Sequence, residues 1–362
     1  MAHLSKSRIV GLCVLLVAVI VLCGGIAWQA TRPKPVQTVT VTGYLGGEKT
    51  GLFDDPQFRT LATDAGLDVS YRKAGSLDMM DADRSGMDYL FPSSRAAAEY
   101  GKAKGVDVSR QDIVFNSPIV VYTYRQVADG LCSTGLMSKD DSGVYRLDMA
   151  KVVEAMQQDR SWADVGWATG YGAFHIESTD PVKSNSGNEY AALLATVMNG
   201  GTPATVDSVN RDLPALQTIF RKSGWMETSS EDSFSQFLTL GVGSKPMMVG
   251  YESQILDLAA TQPDTYAQVK NDLVIAYPTP TVWSTHVFIA LDDKGGKLLD
   301  LMRSDNVRKL AWERHGFRSA NYTGTDGISR FHVPGTIDQV EQVVELPPND
   351  AMQTLINGLK NQ

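Results

Sequence analysis

Residues 38–47 read TVTVTGYLGG, a β-branched run closed by two glycines, and the next stretch, EKTGLFDDPQFRTLATDA (48–65), has the apolar spacing of a helix. Strand, glycine turn, helix is the reading. The unit recurs twice. Leu67–Lys73 (LDVSYRK) runs into Ala74-Gly75-Ser76 and a helical LDMMDA, and Met87–Phe91 closes on Pro92-Ser93-Ser94 before the alanine-rich RAAAEYGKAKG. Strands alternating with helices at this spacing predict an α/β fold with a mainly parallel sheet covered on both faces. In such sheets ligands bind beyond the carboxyl ends of the strands. Each turn taken singly is explained by helix caps and tight turns, but three turns rich in Gly or Ser at one sheet edge mark a candidate site.

Farther along, Asp112–Tyr124 (DIVFNSPIVVYTY) is strand-like but holds Pro118, which a central strand tolerates badly. The chain is expected to bend or change domain there. Residues 125–270 then read as an inserted lobe with helices near Met149–Gln158 and Asn188–Asn199, and Asp272–Pro278 (DLVIAYP) as the return. Two crossings make a hinge. The expected division is a first lobe from 38–120 and 275–362 and a second lobe over 121–274, with a cleft between them, as suits a chain too long for one core.

Ahead of this body, IVGLCVLLVAVIVLCGGIAW (9–28) carries no charge over 20 residues, enough to span a hydrocarbon core of roughly 30 Å. Lys6 and Arg8 precede it, so the positive-inside bias places 1–8 in the cytoplasm and the folded body outside. A cleaved signal peptide would have a shorter apolar region of about 7 to 15 residues, so an uncleaved anchor in the cell membrane is the preferred reading. Acylation at Cys23 is disfavoured because Leu22 precedes it where a small residue is usual. Residues 29–37 (QATRPKPVQ) read as a short stalk.

Composition narrows the function. Cys13 and Cys23 lie in the apolar segment, so Cys132 has no disulfide partner within the exported part. Without Lys6 and Arg8 that part carries 31 basic against 41 acidic residues, a balance that repels phosphate backbones and argues against nucleic acid. The five histidines are scattered without an HExxH-like pair, so no metal centre is expected. No cofactor is implied. Trp225 and Trp312 sit in helical contexts and read as core, and Trp283 precedes a β-rich THVFIAL.

The most specific local stretch is TDPVKSNSGNEY (179–190), between a strand-like YGAFHIES and an amphipathic helix whose apolar positions are Tyr190, Leu193, Leu194, Val197 and Met198. The helix is expected to begin near Ser186. Its free N–H groups, with Ser184, Ser186 and the unhindered Gly187, offer an anion site without a formal positive charge; an ordinary N-cap beside a glycine explains the same residues equally well.

The ordered series GGEKTGLFDD, KAGSLDMM, DYLFPSS, VFNSPIVVY, TDPVKSNSGN, MMVGYESQ, IAYPTPTVWSTHVF and WERHGFR resembles the extracellular solute-binding proteins of bacterial ABC importers, those with the two-lobed type II periplasmic-binding fold. Within them the chain is most similar to the branch that takes small oxyanions such as molybdate, tungstate, sulfate or phosphate. The resemblance implies a small ligand, a partner permease, and as ligand-binding residues Gly47, Glu48, Ser76, Ser94, Asn116, Ser117, Ser184, Ser186 and Gly187, with Tyr251 and Glu252 closing the cleft. Two features depart from it. Glu48 places an anion beside the site, where it pairs with Lys49 or selects a cationic or zwitterionic ligand, and a membrane helix replaces the usual lipid anchor.

An enzyme is disfavoured. Lys49-Thr50-Gly51, Ser186-Gly187-Asn188 and Ser70-Tyr71-Arg72-Lys73 match the motifs of penicillin-interacting serine enzymes as strings, but in the wrong order and with Ser70 on a strand. GYLGGEKT (43–50) falls short of a P-loop because Glu48 stands where a glycine must let backbone approach phosphate. A cell-envelope interaction or scaffold protein without a small ligand remains the alternative to a binder. Against it stands the accumulation of Gly, Ser and Asn at the strand ends.

Overall fold

The computed structural model describes residues 38–319 and 327–360. The expected cytoplasmic tail, membrane anchor and stalk (1–37) lie outside the described residues. In chain order the first elements are β1 (Val39–Leu45), a 3-10 turn (Gly47–Lys49), α1 (Thr50–Asp54), α2 (Pro56–Asp64), β2 (Leu67–Lys73), α3 (Asp78–Asp81), β3 (Tyr89–Phe91) and α4 (Arg95–Ala103). Next come β4 (Arg110–Tyr124), α5 (Arg125–Ser133), β5 (Met137–Lys139), β6 (Tyr145–Asp148), α6 (Met149–Gln157), α7 (Asn185–Met198), α8 (Val206–Lys222) and α9 (Ser230–Leu240). The chain continues with β7 (Met247–Tyr251), α10 (Glu252–Thr261), α11 (Pro263–Val269), β8 (Leu273–Thr279), β9 (Trp283–Ala290), α12 (Asp293–Met302), α13 (Asp305–His315), a second 3-10 turn (Ile328–Phe331) and α14 (Asn349–Leu359).

The strand order is β2-β1-β3-β9-β4-β8-β6-β5, with β7 also on β4. Pairing is mixed, which corrects the mainly parallel sheet expected from the sequence. β1 runs parallel to β2 and β3, and β6 to β8, whereas β9 is antiparallel to β3 and β4, and β4 to β7 and β8. Parallel neighbours need a crossover such as a helix. β4 and β9 instead run directly between the lobes, so they meet their neighbours in reverse.

Pro118 marks the change of lobe. Arg110–Pro118 pairs with β9 in the first sheet, and from Ile119 onward β4 pairs with β7 and β8 in the second. The return differs from the expected boundary at 275, because β8 pairs with β4 and β6 through Thr279 and the chain re-enters the first sheet only at Trp283. Nor does the rest of 275–362 stay in the first lobe. The amphipathic α14 needs an apolar partner and finds α8: Ala351, Met352, Leu355, Ile356 and Leu359 enter the second lobe's core, and Gln217 Nε2 donates to the Gly358 carbonyl at 2.7 Å. YGAFHIES (171–178) is irregular, touching other segments through isolated bridges at Ala173 and Glu177. Trp225, expected in a core, stands 86% exposed between α8 and α9, while Trp312 is buried.

Both faces of each sheet are covered. In the first lobe Phe288 packs with Phe53, Phe58 and Leu310 on one face, while its neighbours Val287 and Ile289 pack with Met79, Met80 and Ala97 on the other, the two-residue alternation of a central strand. The second lobe's larger core joins α5–α8 and α14, and its opposite face carries Phe234, Phe237 and Leu256.

Candidate functional site

A cavity of about 340 Å³ lies between the lobes. Its first-lobe wall is built at the carboxyl ends of β1, β2 and β3, from Gly46–Glu48, Lys73–Ser76 with Asp78, and Ser93. The facing wall is Ser184 and Asn185, Thr228–Ser230 with Asp232, and Tyr251. The lobes touch across this cleft. Lys73 Nζ reaches Glu231 at 2.9 Å and Asp232 at 3.6 Å, and Thr50 Oγ1 donates to Glu231 at 3.4 Å.

Four helices begin at the cavity wall. α4 starts directly after Ser93 and its cap Ser94, α7 at Asn185, α9 at Ser230 and α10 just after Tyr251. Each helix start brings the positive end of its peptide dipoles to this wall, although at α10 the Ser253 and Ile255 N–H groups are already taken by Ser117 Oγ and Tyr122 Oη. Ser94 and Ser229 spend their hydroxyls as caps, on Ala97 N and Asp232 N, but Ser184 makes no such side-chain cap. Its nearest bond is a long one of 3.4 Å to Ser186 Oγ.

Behind the cavity lies a closed ionic knot. Lys49 is fully buried and its ammonium has three partners: the Glu48 carboxylate, Ser93 Oγ at 2.9 Å and His286 Nδ1 at 3.2 Å. Three partners exhaust its three protons. Ser93 in turn donates to Glu48, and Ser284 Oγ donates to the Ser93 carbonyl at 2.6 Å. Burial would raise the Glu48 carboxyl, but the Lys49 charge, the neighbouring His286 ring and the hydrogen bonds from Lys49 and Ser93 outweigh it and hold the group at about 2. Burial, with the Lys49 charge, pushes His286 down to about 3, so its imidazole is neutral at pH 7. Lys49 is lowered as well, by burial, against the pull of Glu48. Thus the anion that the sequence set beside the site is neutralised by its own neighbour.

From the second lobe, Glu189 is fully buried near this knot. Neither of its carboxyl oxygens has a hydrogen-bond partner among the described residues, and burial together with the Glu48 charge raises it well above the ordinary carboxyl range, against weaker opposing pulls from Asn185, Ser284 and Lys49. Asn185 Nδ2 donates to Tyr251 Oη at 3.0 Å, which fixes both side chains at the cavity edge.

Among the residues nominated from the sequence, Gly47, Glu48, Ser76, Ser184 and Tyr251 line this one cavity. The remaining six stand elsewhere. Ser94 caps α4. Ser186 is buried against Thr179, Oγ to Oγ1 at 2.7 Å, and a Cβ at Gly187 would stand 2.1 Å from the Thr179 carbonyl oxygen, so both hold the turn that carries α7. Asn116, Ser117 and Glu252 form the hinge. Asn116 exchanges backbone bonds with Arg318, Ser117 Oγ accepts from Ser253 N at 3.1 Å, and Arg318 grips the buried Glu252 carboxylate at 2.6 and 2.9 Å.

Sequence reasoning did not nominate Lys73, Asp78, Ser93, Asn185, Thr228–Ser230, Asp232, Glu189, Ser284 or His286. Two of these had a readable signal. SSED (229–232) ahead of an apolar run is a helix-start pattern like the others, and His286 breaks an apolar strand on the same face as Ser284.

No described protein family and no curated protein matches the sequence. Solved structures match over most of the chain. Apo FutA2 from Synechocystis PCC6803 aligns with a TM-score of 0.52 at 11% identity, over 90% of this chain and 99% of that one. The sulfate-binding protein SubI from Mycobacterium tuberculosis H37Rv gives 0.52 at 13%, over 87% and 96%. The periplasmic binding protein AfuA from Actinobacillus pleuropneumoniae, with fructose-6-phosphate bound, gives 0.53 at 11%, over 88% and 96%. The two sheets joined at Pro118 and Trp283, and the cavity between them, are thus those of the two-lobed type II periplasmic solute-binding fold.

Proposed function

We propose that this chain is a membrane-anchored, extracytoplasmic solute-binding protein that captures a small oxyanion, free or carried on a small organic body, for import through a permease or for sensing. The observation that carries the reading is that α7 and α9 open directly onto one interlobe cavity rich in hydroxyl and backbone donors, with α4 and α10 starting just behind its wall at Ser93 and Tyr251. Such an arrangement favours an anion without a free cation. The lysines nearby fit the same reading, since Lys49 is consumed by Glu48 and Lys73 by Glu231 and Asp232. SubI, a sulfate-binding protein, and AfuA, solved with a sugar phosphate, share the fold and add weight to an oxyanion. At about 30 Å³ per water, the cavity holds roughly ten waters, more than a bare tetrahedral ion fills.

The mechanism is capture without chemistry. A ligand that touches Gly47 and Ser76 on one lobe and Ser184 and Asn185 on the other gains contacts only when the lobes meet, so it shifts the population toward closure. The anchor over 9–28 would keep the closed complex beside its permease. The test is thermal unfolding of the full chain in detergent with sulfate, phosphate, molybdate, tungstate, sugar phosphates, neutral sugars and amino acids. A ligand at 100 times its Kd adds about 2.7 kcal/mol. A shift with an oxyanion or phosphate ester supports the reading; a shift only with a neutral or cationic solute replaces the ligand class, and no shift at all favours a scaffold.

A further inference from the structure

Glu189 sits one helical turn beyond Asn185 on α7, so the two share a face. Asn185 lines the cavity, and Glu189 lies deeper, fully buried, with neither carboxyl oxygen hydrogen-bonded among the described residues. A buried carboxylate needs donors or a cation. Here the neighbouring cation has none to spare, because Lys49 has given its three protons to Glu48, Ser93 and His286. The titratable groups around Glu189 are Glu48 and Lys49 from the turn after β1, with His286 of β9 behind them, and Tyr251 of β7. Glu48 is already an anion, His286 is neutral, and burial keeps the Tyr251 hydroxyl protonated. An ionised Glu189 would set a second buried negative charge against one cation, so Glu189 carries its proton when the lobes meet.

The two sides of this contact belong to different lobes. Tyr190, Ala191, Leu193 and Leu194 root α7 in the second lobe's core, whereas Leu45, Leu52 and Phe53, on either side of the Gly47–Lys49 turn, belong to the first. When the lobes part, the face of α7 that carries Asn185 and Glu189 turns toward water, where a carboxyl loses its proton near the ordinary value of 4.5. We infer that closing the lobes takes up one proton at Glu189, so that capture in the cavity tightens as pH falls. The inference rests on the two-lobed capture proposed above and concerns its regulation. Its sign follows from which state holds the proton: the gain in closure is complete below 4.5 and is lost as pH rises through the closed-state value, which burial raises. Linkage is reciprocal, so a ligand that closes the lobes draws a proton from solution. A neutral Glu189 also spares an incoming anion a like charge behind the start of α7.

The test needs no ligand. Spin labels on Thr60→Cys in α2 and Gln157→Cys in α6, exposed positions of the two lobes, report the distance between lobes by pulsed double resonance in the full chain in detergent, with the three native cysteines replaced by alanine. From pH 9 to pH 5 the share of the shorter distance is expected to rise at least threefold. Glu189→Gln, neutral at every pH, is expected to hold the shorter distance throughout, and Glu189→Met repeats the measurement with a neutral side chain that has no donor. A parent chain whose distances stay the same between pH 5 and 9, a pH response that survives in either variant, or a Glu189→Gln chain that stays open at every pH overturns the inference. The class of ligand has no bearing on these results, so an oxyanion in the cavity stands or falls separately.

Discussion

Gly75 and Lys183 face each other across the cleft so closely that a Cβ on the glycine would stand 2.2 Å from the lysine's carbonyl oxygen. Gly75 belongs to the turn after β2, and Lys183 to the turn before α7, so the missing side chain sets how near the lobes come. The demand is for space. Gly75→Ala is expected to hold the lobes apart, weakening capture of the cleft ligand at least tenfold and enlarging the liganded radius of gyration in small-angle scattering. Unchanged scattering and affinity would mean that one of the two turns moves aside.

Glu48 and Glu189 give opposite pH dependences. Glu48 is held at about 2 in the folded chain against an ordinary value of 4.5, so it contributes stability above 4.5 that is lost as pH falls through that window toward 2. Glu189 is raised, so its folded state prefers the proton: the contribution is complete below 4.5 and is lost as pH rises through its folded value. Urea unfolding of Glu189→Gln from pH 5 to 9 should show a flatter stability profile than the parent chain. Glu48→Gln should flatten the acid side and cost about 3 to 5 kcal/mol at pH 7, the scale for leaving a buried partner such as Lys49 unpaired.

Ser184 and Ser186 separate binding from support. Ser186→Ala strands the buried Thr179 hydroxyl and is expected to lower stability by about 1 to 3 kcal/mol. Ser184→Ala removes a cavity hydroxyl that caps nothing, so it should weaken ligand binding with little change in the denaturation midpoint. Parallel titrations and urea melts of the two variants check both statements, and a reversed pattern would assign the ligand to Ser186.

This pair also shows what the sequence made legible. The strand ends at Leu45, Lys73 and Phe91 were readable because apolar alternation stops there at small residues, and those ends form one wall of the cavity. The start of α7 was read one residue late. About 100° of turn per residue is enough to move Ser186 and Gly187 from the cavity onto the Thr179 turn and to bring Asn185 forward. What His286 contacts was beyond reach for another reason. It meets Lys49 across 237 positions of chain, through the register of β9 beside β4 and β3, and a single histidine in a strand does not announce its partner. The parallel sheet and the last lobe boundary failed likewise, since strand direction and the docking of α14 on α8 depend on where the chain crosses between lobes.

The hinge supplies the last prediction. Arg318 exchanges backbone bonds with Asn116 on β4 and grips Glu252 at the start of α10 with two nitrogens, while its third donates to the Asp338 carbonyl at 2.5 Å. Glu252 is fully buried, and beside the Tyr277 hydroxyl that donates to it, Arg318 is its ion-pair partner among the described residues. Arg318→Met should therefore cost about 3 to 5 kcal/mol by leaving a carboxylate unpaired. Arg318→Met with Glu252→Met removes both charges and should recover most of the loss, because well-packed apolar replacements of a buried pair are often neutral. Denaturant melts of the two single variants and the double variant measure the coupling. If the double variant is as unstable as the sum of the singles, Arg318 acts through its bonds to Asp338 and Asn116 and the ion pair is incidental to the hinge.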